Sequence, residues 1–357
     1  MPESLELREA EGAFERLEEW LAARGFFSDG ADELVAEVYL GYALSDAIRR
    51  DDTPAPIEPC PRLPLAACRL ERRTLATDCY KGSFALGEWE RTWGASDYRA
   101  AIEEVREAIA RGDVYQVNVV QHLQTTFAGD PRALADRLAP LRPLCPDPFV
   151  GDDWAVVSAS PELFLARRGD RLWTMPIKGT RPLGASAELR ASEKDAAEHV
   201  MIVDLERNDL SRVCRPGTVR WPELMATREL AGVEHMVSTV EGSLRNGVGL
   251  AEIMHATFPG GSVTGAPKIA AVDLIAELEP VGRGASMGAI GKIYGNGDFD
   301  LALTIRTFAI AEGRIHLWVG GGIVWDSDAA LEVDESWVKA RPLLAAIGSK
   351  LPEAVLT

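Results

Sequence analysis

The chain has 357 residues, 46% hydrophobic and 26% charged, with 32 Gly and 21 Pro, a globular balance that excludes a disordered or fibrous protein. Thirty-eight basic against 55 acidic residues give a net charge of -17. That field repels phosphate backbones and anionic lipid, so neither nucleic acid nor a membrane is an expected partner.

Five cysteines at 60, 68, 79, 145 and 214 contain no Cys-x-x-Cys pair, which fits neither a disulfide framework nor a thiolate zinc site. The N-terminus MPESLELREA lacks an apolar signal core, and no window approaches 18 consecutive apolar residues. The expected location is therefore cytoplasmic.

In chain order, residues 1–95 read as a short N-terminal region packing on the core: acidic helical stretches, then TPAPIEPCPRLPLAAC, which no helix can cross. Residues 96–350 read as the main core. Ser96 or Asp97 can cap a helix with Ile102, Val105 and Ile109 on one face, ended by Gly112. The following strand alternates Tyr115, Val117, Val119 and Leu123 with Gln116, Asn118, Val120, His122 and Gln124, so one face is unusually polar. Strand pattern recurs at 153–158, 162–167 and 171–177, with Arg168-Gly169-Asp170 as a hairpin turn. Helices are expected at 192–209, 249–257, 267–278 and 329–346, and strands near 285–294, 300–311 and 314–325. Strands come in groups instead of alternating with helices, which predicts an α+β fold with largely antiparallel sheets.

Four features carry chemistry. Asp195 and Glu198 lie three apart on one helix, and Glu332 and Glu335 on another. Each such pair costs about 0.2–0.5 kcal/mol on an exposed helix, so two solvated faces would also account for them. Lys339, four residues after Glu335, adds a base to that face, and oxygen-only ligands suit Mg2+. Second, Gly320, Gly321 and Gly322 interrupt a strand, as where a ligand carboxylate approaches backbone amides. On the neighbouring strand Thr304 and Arg306 share a face, and an Arg fork matches a carboxylate. Third, FPGGSVTGAPK opens a helix at Pro267 without the spacing of a nucleotide-binding P-loop. Fourth, Lys178 ends an apolar strand, where desolvation can supply a neutral amine nucleophile, and Glu162 stands in SASPELFL as a proton donor or a turn residue. Neither a His-based zinc motif nor a Gly-x-Ser-x-Gly elbow is present.

The motifs SPELF, PIKGT, AEHVMIVDLERNDL, PGGSVTGAPK, IRTF, GGGIV and ExxExxxK, in this order across Asp97 to Ile347, resemble the chorismate-utilising enzymes. These comprise anthranilate synthase component I, aminodeoxychorismate synthase component I, and the isochorismate and salicylate synthases. The resemblance implies an α/β sandwich of two facing, largely antiparallel sheets with helices outside, making residues 96–350 a chorismate-binding catalytic core. It implies Mg2+ held by Glu198 and Glu335, with Asp195 and Glu332 as supporting carboxylates. By the same resemblance Thr304, Arg306, Lys339 and the Gly320, Gly321 and Gly322 amides hold substrate carboxylates, and Gly179, Thr180, His235, Gly261 and Ser262 line the pocket.

PIKGT resembles the aminodeoxychorismate synthases, whose lysine is the nucleophile, whereas anthranilate-forming members carry Ala there. Gln116 stands where water-adding members place a lysine base. The function so implied is amination of chorismate to 4-amino-4-deoxychorismate by Lys178 and Glu162, on the way to p-aminobenzoate and folate. No cysteine lies in a glutaminase context, so the ammonia is expected from solution or from a separate glutamine amidotransferase subunit. The alternatives are anthranilate synthase component I and a non-catalytic chorismate-binding subunit. Lys292 departs from the family's GxIGY, replacing a tyrosine expected near the substrate, and Ser211 replaces a usual Gly.

Overall fold

Strand pairing follows from where the apolar residues fall. The computed structural model describes residues 3–28, 30–31, 33–71, 82–230 and 233–350. It holds two sheets in which every pairing between named strands is antiparallel. Strands and helices are numbered in chain order. The ten-stranded sheet runs β1 (Ser4–Leu7), β3 (Ala66–Leu70), β2 (Val35–Leu40), β15 (Ala289–Tyr294), β16 (Phe299–Leu303), β9 (Leu163–Arg168), β10 (Arg171–Met175), β13 (Val233–Ser243) and β11 (Ile177–Pro182), with β12 (Arg220–Leu230) also on β13. The eight-stranded sheet runs β14 (Gly265–Ala266), β6 (Gln116–Gly129), β18 (Arg314–Ile323), β17 (Thr307–Ala311), β8 (Trp154–Ser158) and β7 (Phe149–Val150), with β4 (Phe84–Leu86) and β5 (Glu90–Arg91) also on β6.

One continuous apolar cluster draws on both sheets, from Val38, Leu165 and Leu301 to Val119, Val156 and Phe308. Each such fully buried side chain contributes about 1.5–3 kcal/mol. The N-terminal strands are woven into the larger sheet, because β2 pairs with β15 from Val35↔Tyr294 to Leu40↔Ala289.

Helices α1 (Ala13–Ala22), α2 (Ala95–Arg111), α3 (Pro131–Leu138), α4 (Ser186–Ala191), α5 (Glu193–Ser211), α6 (Leu250–Thr257), α7 (Lys268–Leu278) and α8 (Ala329–Ala346) complete the chain. The expected helix after Gly94 forms as α2: Asp97 Oδ2 accepts the Gly94 amide at 3.2 Å, and Gly112 ends it at φ +84°. The hairpin at 168–170 also forms, with Gly169 at φ +58°. Ser192 caps α5, accepting the Asp195 amide at 3.3 Å, and Pro267 precedes the first residue of α7.

Three strand readings differ. Residues 171–177 are two strands, both on β13. The hairpin β12–β13, which supplies the partner of β11, carries too little alternation to be read locally. The segment 300–311 is not one strand: it leaves the larger sheet after Leu303 and enters the smaller one at Thr307.

The neighbouring chain makes the same crossing, from β8 in the smaller sheet to β9 in the larger. The two crossing links lie side by side, with Ala159 N donating to Arg306 O at 3.0 Å and Leu303 N to Glu162 O at 2.9 Å. The four described cysteines 60, 68, 145 and 214 are unbridged; Cys79 lies outside the described residues. Among the described residues no helix is long and apolar enough to cross a membrane.

Candidate active site

The seam between the sheets carries the first group of candidates. Thr304 and Arg306 do not share a strand face; they sit on the link between β16 and β17, where Arg306 adopts φ +51°. Thr304 is buried and its Oγ1 accepts the Gly288 amide at 2.7 Å. The half-buried Arg306 makes no ion pair with any described residue, and burial pulls its pKa down against the attraction of Glu162. A cation so placed is a receptor for a carboxylate. Glu162, on the adjoining link, is 5% exposed and accepts Ser262 Oγ at 2.9 Å. Burial raises its pKa, with Ser262, Lys178 and Arg306 opposing, which favours a carboxyl that keeps its proton.

The second group comes from β11. Lys178 pairs with Met236 of β13 and is half-buried. Burial lowers its pKa and Lys339 adds to that; Glu198, Glu162 and Glu335 oppose it. These four charged groups, from α5, the seam and α8, thus surround one amine. Gly179 follows at φ +64°, a left-handed conformation that a side chain resists, and a Cβ there would lie 2.5 Å from Leu189 Cδ1. Its carbonyl meets His235 Nδ1 at 3.1 Å, and burial lowers the His235 pKa. The Thr180 backbone pairs with His235; its side chain lies outside the described residues.

α8 packs on β18 and brings the third group. β18 runs unbroken through its glycines, Gly320 opposite Val120, Gly321 opposite Val119 and Gly322 opposite Asn118. The glycines do not interrupt the strand; they clear space. A Cβ on Gly321 would stand 3.2 Å from Lys339 Nζ, 3.4 Å from Glu332 Oε2 and 3.8 Å from Glu335 Oε1. Lys339 donates to Gly320 O at 2.8 Å and pairs with Glu335 at 2.9 Å. Buried Glu332 accepts Ser327 Oγ at 2.7 Å, and Asp195 is held by Arg181 at 2.7 Å.

Among the described residues no three His, Cys, Asp or Glu side chains cluster closely enough to hold an ion by themselves. The fit for Mg2+ is that of a cation held by few protein oxygens: Glu198 and Glu335 act on one amine from two helices, and a Cβ on Gly321 would crowd the Lys339 and Glu332 head groups at 3.2 and 3.4 Å.

Sequence reasoning missed His199 beside Lys178: it is fully buried, with Nε2 2.5 Å from Ser238 Oγ. No local signal marks it. Gln116 stands on the polar strand face; it is fully buried and both ends of its amide lack a partner among the described residues. Lys292 does not join the site, because its ammonium pairs with Glu71 at 2.7 Å beside Glu37 and Asp147.

A two-sheet fold that encloses an arginine, a desolvated lysine and facing carboxylates defines a binding site for a small anionic substrate. Residues 47–345 match the family model of the chorismate binding enzymes, and the chain belongs to that family. It is 38% identical over 329 residues to anthranilate synthase component 1 of Streptomyces coelicolor, covering 88% of this chain and 60% of that protein. It is 39% identical over 265 residues to aminodeoxychorismate synthase component 1 of Klebsiella aerogenes, covering 72% and 59%. The chain thus spans about three fifths of the length of these curated relatives. The crystal structure of anthranilate synthase component I from Streptococcus pneumoniae superposes with a TM-score of 0.80 at 26% identity, covering 91% of this chain and 84% of that one.

Proposed function

We propose that the chain is the chorismate-aminating component of an aminodeoxychorismate synthase, working with a separate amidotransferase that supplies ammonia. The observation that carries this reading is Lys178: a half-buried amine, biased toward its neutral form and facing Glu162. Overall identity does not choose between the two activities of the relatives, at 38% and 39%. Lys178 favours the second of these, because the PIKGT motif in which it stands resembles the aminodeoxychorismate synthases, where nitrogen ends at ring carbon 4.

In the proposed reaction Arg306, Lys339 and the backbone around Gly320 to Gly322 orient the two carboxylates of chorismate. Lys178 adds to ring carbon 2 as the two conjugated ring double bonds shift along the ring toward carbon 4. The carbon 4 hydroxyl leaves as water, taking its proton from Glu162. Ammonia then adds at carbon 4, both double bonds shift back, and the carbon 2 bond to Lys178 breaks. The proton released from the incoming nitrogen returns to Glu162, giving 4-amino-4-deoxychorismate with both side chains restored. Mg2+ held by Glu198 and Glu335, supported by Asp195 and Glu332, would supply a Lewis acid and a template for the ring carboxylate. Gln116, lacking a titratable nitrogen, takes no proton from water, which disfavours hydroxylation.

Incubation with chorismate, Mg2+ and ammonium, followed by product identification by mass and absorbance, tests the reading. The expected product is aminodeoxychorismate, lost by about a thousandfold or more in Lys178→Ala. Anthranilate from the unaltered protein would replace this reading with the second one, favoured by the longer match to the Streptomyces protein.

A further inference from the structure

Glu206 is a buried carboxyl that the proposed chemistry leaves without a task. It lies on α5 two turns beyond Glu198 and is 4% exposed, a costly place for an acid that does nothing. Its Oε1 accepts the Gly261 amide at 3.0 Å. That amide opens the turn Gly261–Val263, and the next residue, Ser262, donates to Glu162 Oε1 at 2.9 Å. Two hydrogen bonds one residue apart therefore connect α5 to the acid at the seam.

The turn has little freedom to find this geometry by other means. A Cβ at position 261 would stand 2.6 Å from Leu205 Cδ2 and 3.1 Å from Glu206 Oε1, so the turn rests directly on α5. Thr264 Oγ1 closes it onto Gly260 O at 2.9 Å. Behind it, Lys268 pairs with Asp209 and donates to Thr257 O at 2.9 Å. Burial and the neighbouring Asp209 raise the Glu206 pKa, with Lys268 and the Gly261 amide opposing.

We infer that Glu206 is a positioning residue: by holding the Gly261 amide it fixes Ser262 as the donor to Glu162, and so sets the pH at which Glu162 loses its proton. The consequence for catalysis rests on the reading of Glu162 as the general acid.

The sign of the effect separates this route from simple charge repulsion. Glu162 is faced by Lys178 and the Ile177 backbone from β11, Arg306 from the seam and Ser262 from the turn, and its own charge raises the pKa of Glu206 on α5. Deleting Glu206 by repulsion alone would lower the Glu162 midpoint; loss of the Ser262 donor raises it.

The test uses the full chain labelled with 13C-glutamate, the Glu162 signal being assigned by its loss in Glu162→Gln. Glu206→Leu is expected to raise the Glu162 midpoint by about one pH unit. Ser262→Ala should match it, and the double variant should add nothing further. Glu206→Gln, whose amide oxygen still accepts the Gly261 N–H, should stay within about 0.3 units. A fall or no change in Glu206→Leu overturns the inference, and so does the absence of a rise in Ser262→Ala, which decides the matter if the leucine variant does not fold. A midpoint shift without an equal alkaline shift in the basic limb of kcat/KM would leave this inference standing and remove Glu162 from its assigned role.

Discussion

Two arginines held in the interior, Arg283 and Arg306, have opposite surroundings. Arg283 is 1% exposed; it pairs with Glu279 at 2.7 and 2.8 Å and donates to the carbonyls of Val263 and Asn118 at 2.8 and 2.7 Å. Its pKa is raised although burial opposes this, because Glu279 outweighs the lost water. Arg306 has no such carboxylate among the described residues, and burial wins. A satisfied interior cation holds the molecule together, here by tying the 261–263 turn to β6. An unsatisfied one stores attraction for an anion that arrives from outside.

Substitution separates the two. Arg306→Ala is expected to reduce kcat/KM for chorismate by at least about 30-fold, roughly 2 kcal/mol, through a lost carboxylate contact. Its denaturant midpoint should stay near that of the unaltered protein, since no folded-state partner is orphaned. Steady-state kinetics beside urea melts check both halves; a large loss of stability would break the comparison. Arg283→Met should do the reverse at the level of the fold, costing about 3–5 kcal/mol because Glu279 is left buried and unpaired. Equilibrium unfolding measures it, and a loss below about 1 kcal/mol would show that the ion pair is dispensable.

The buried pair His122 and His316 sharpens the comparison with groups that give up their charge instead. Their rings stack, with His122 Nε2 3.0 Å from His316 Nδ1. Burial holds His122 down to about 3 and His316 to about 4, from an ordinary 6.5. The unfolded chain therefore binds more protons than the folded one below pH 6.5. Stability present above that pH is lost as the pH falls from 6.5 toward 4, by about 3 kcal/mol for each ring and so about 6 kcal/mol for the pair. Urea midpoints measured across this window should fall less steeply in His316→Gln; an unchanged slope would mean that the pair does not stay neutral. Lys292 gives the smallest effect. Its half-exposed pair with Glu71 predicts a cost below about 1 kcal/mol in Lys292→Ala and an unaltered KM for chorismate. A raised KM would return this lysine to the substrate's surroundings.

Much of the candidate site's local geometry was legible because its parts are local. The Asp195/Glu198 and Glu332/Glu335 spacings, the Ser192 cap and the Gly169 turn are relations between residues two to four apart, and helix and hairpin geometry converts them directly into position. The motif order was enough to indicate the family that the comparison establishes. What remained hidden lies at long separation. Nothing near Thr304 announces that the chain changes sheets there, and the glycines of β18 read as an interruption until Val120, Val119 and Asn118 are found opposite them.

By itself, then, the sequence determined which helices form, which faces carry acid, and that Lys178 ends an apolar strand. Tertiary structure alone decided that Glu162 and Arg306 stand on adjacent crossing links, that Asp195 pairs with Arg181, and that Lys292 turns toward Glu71. Periodicity and capping act within a few residues and survive in an isolated segment. Sheet partners and buried charges are settled by competition among distant segments for the same hydrogen bonds and the same dry space.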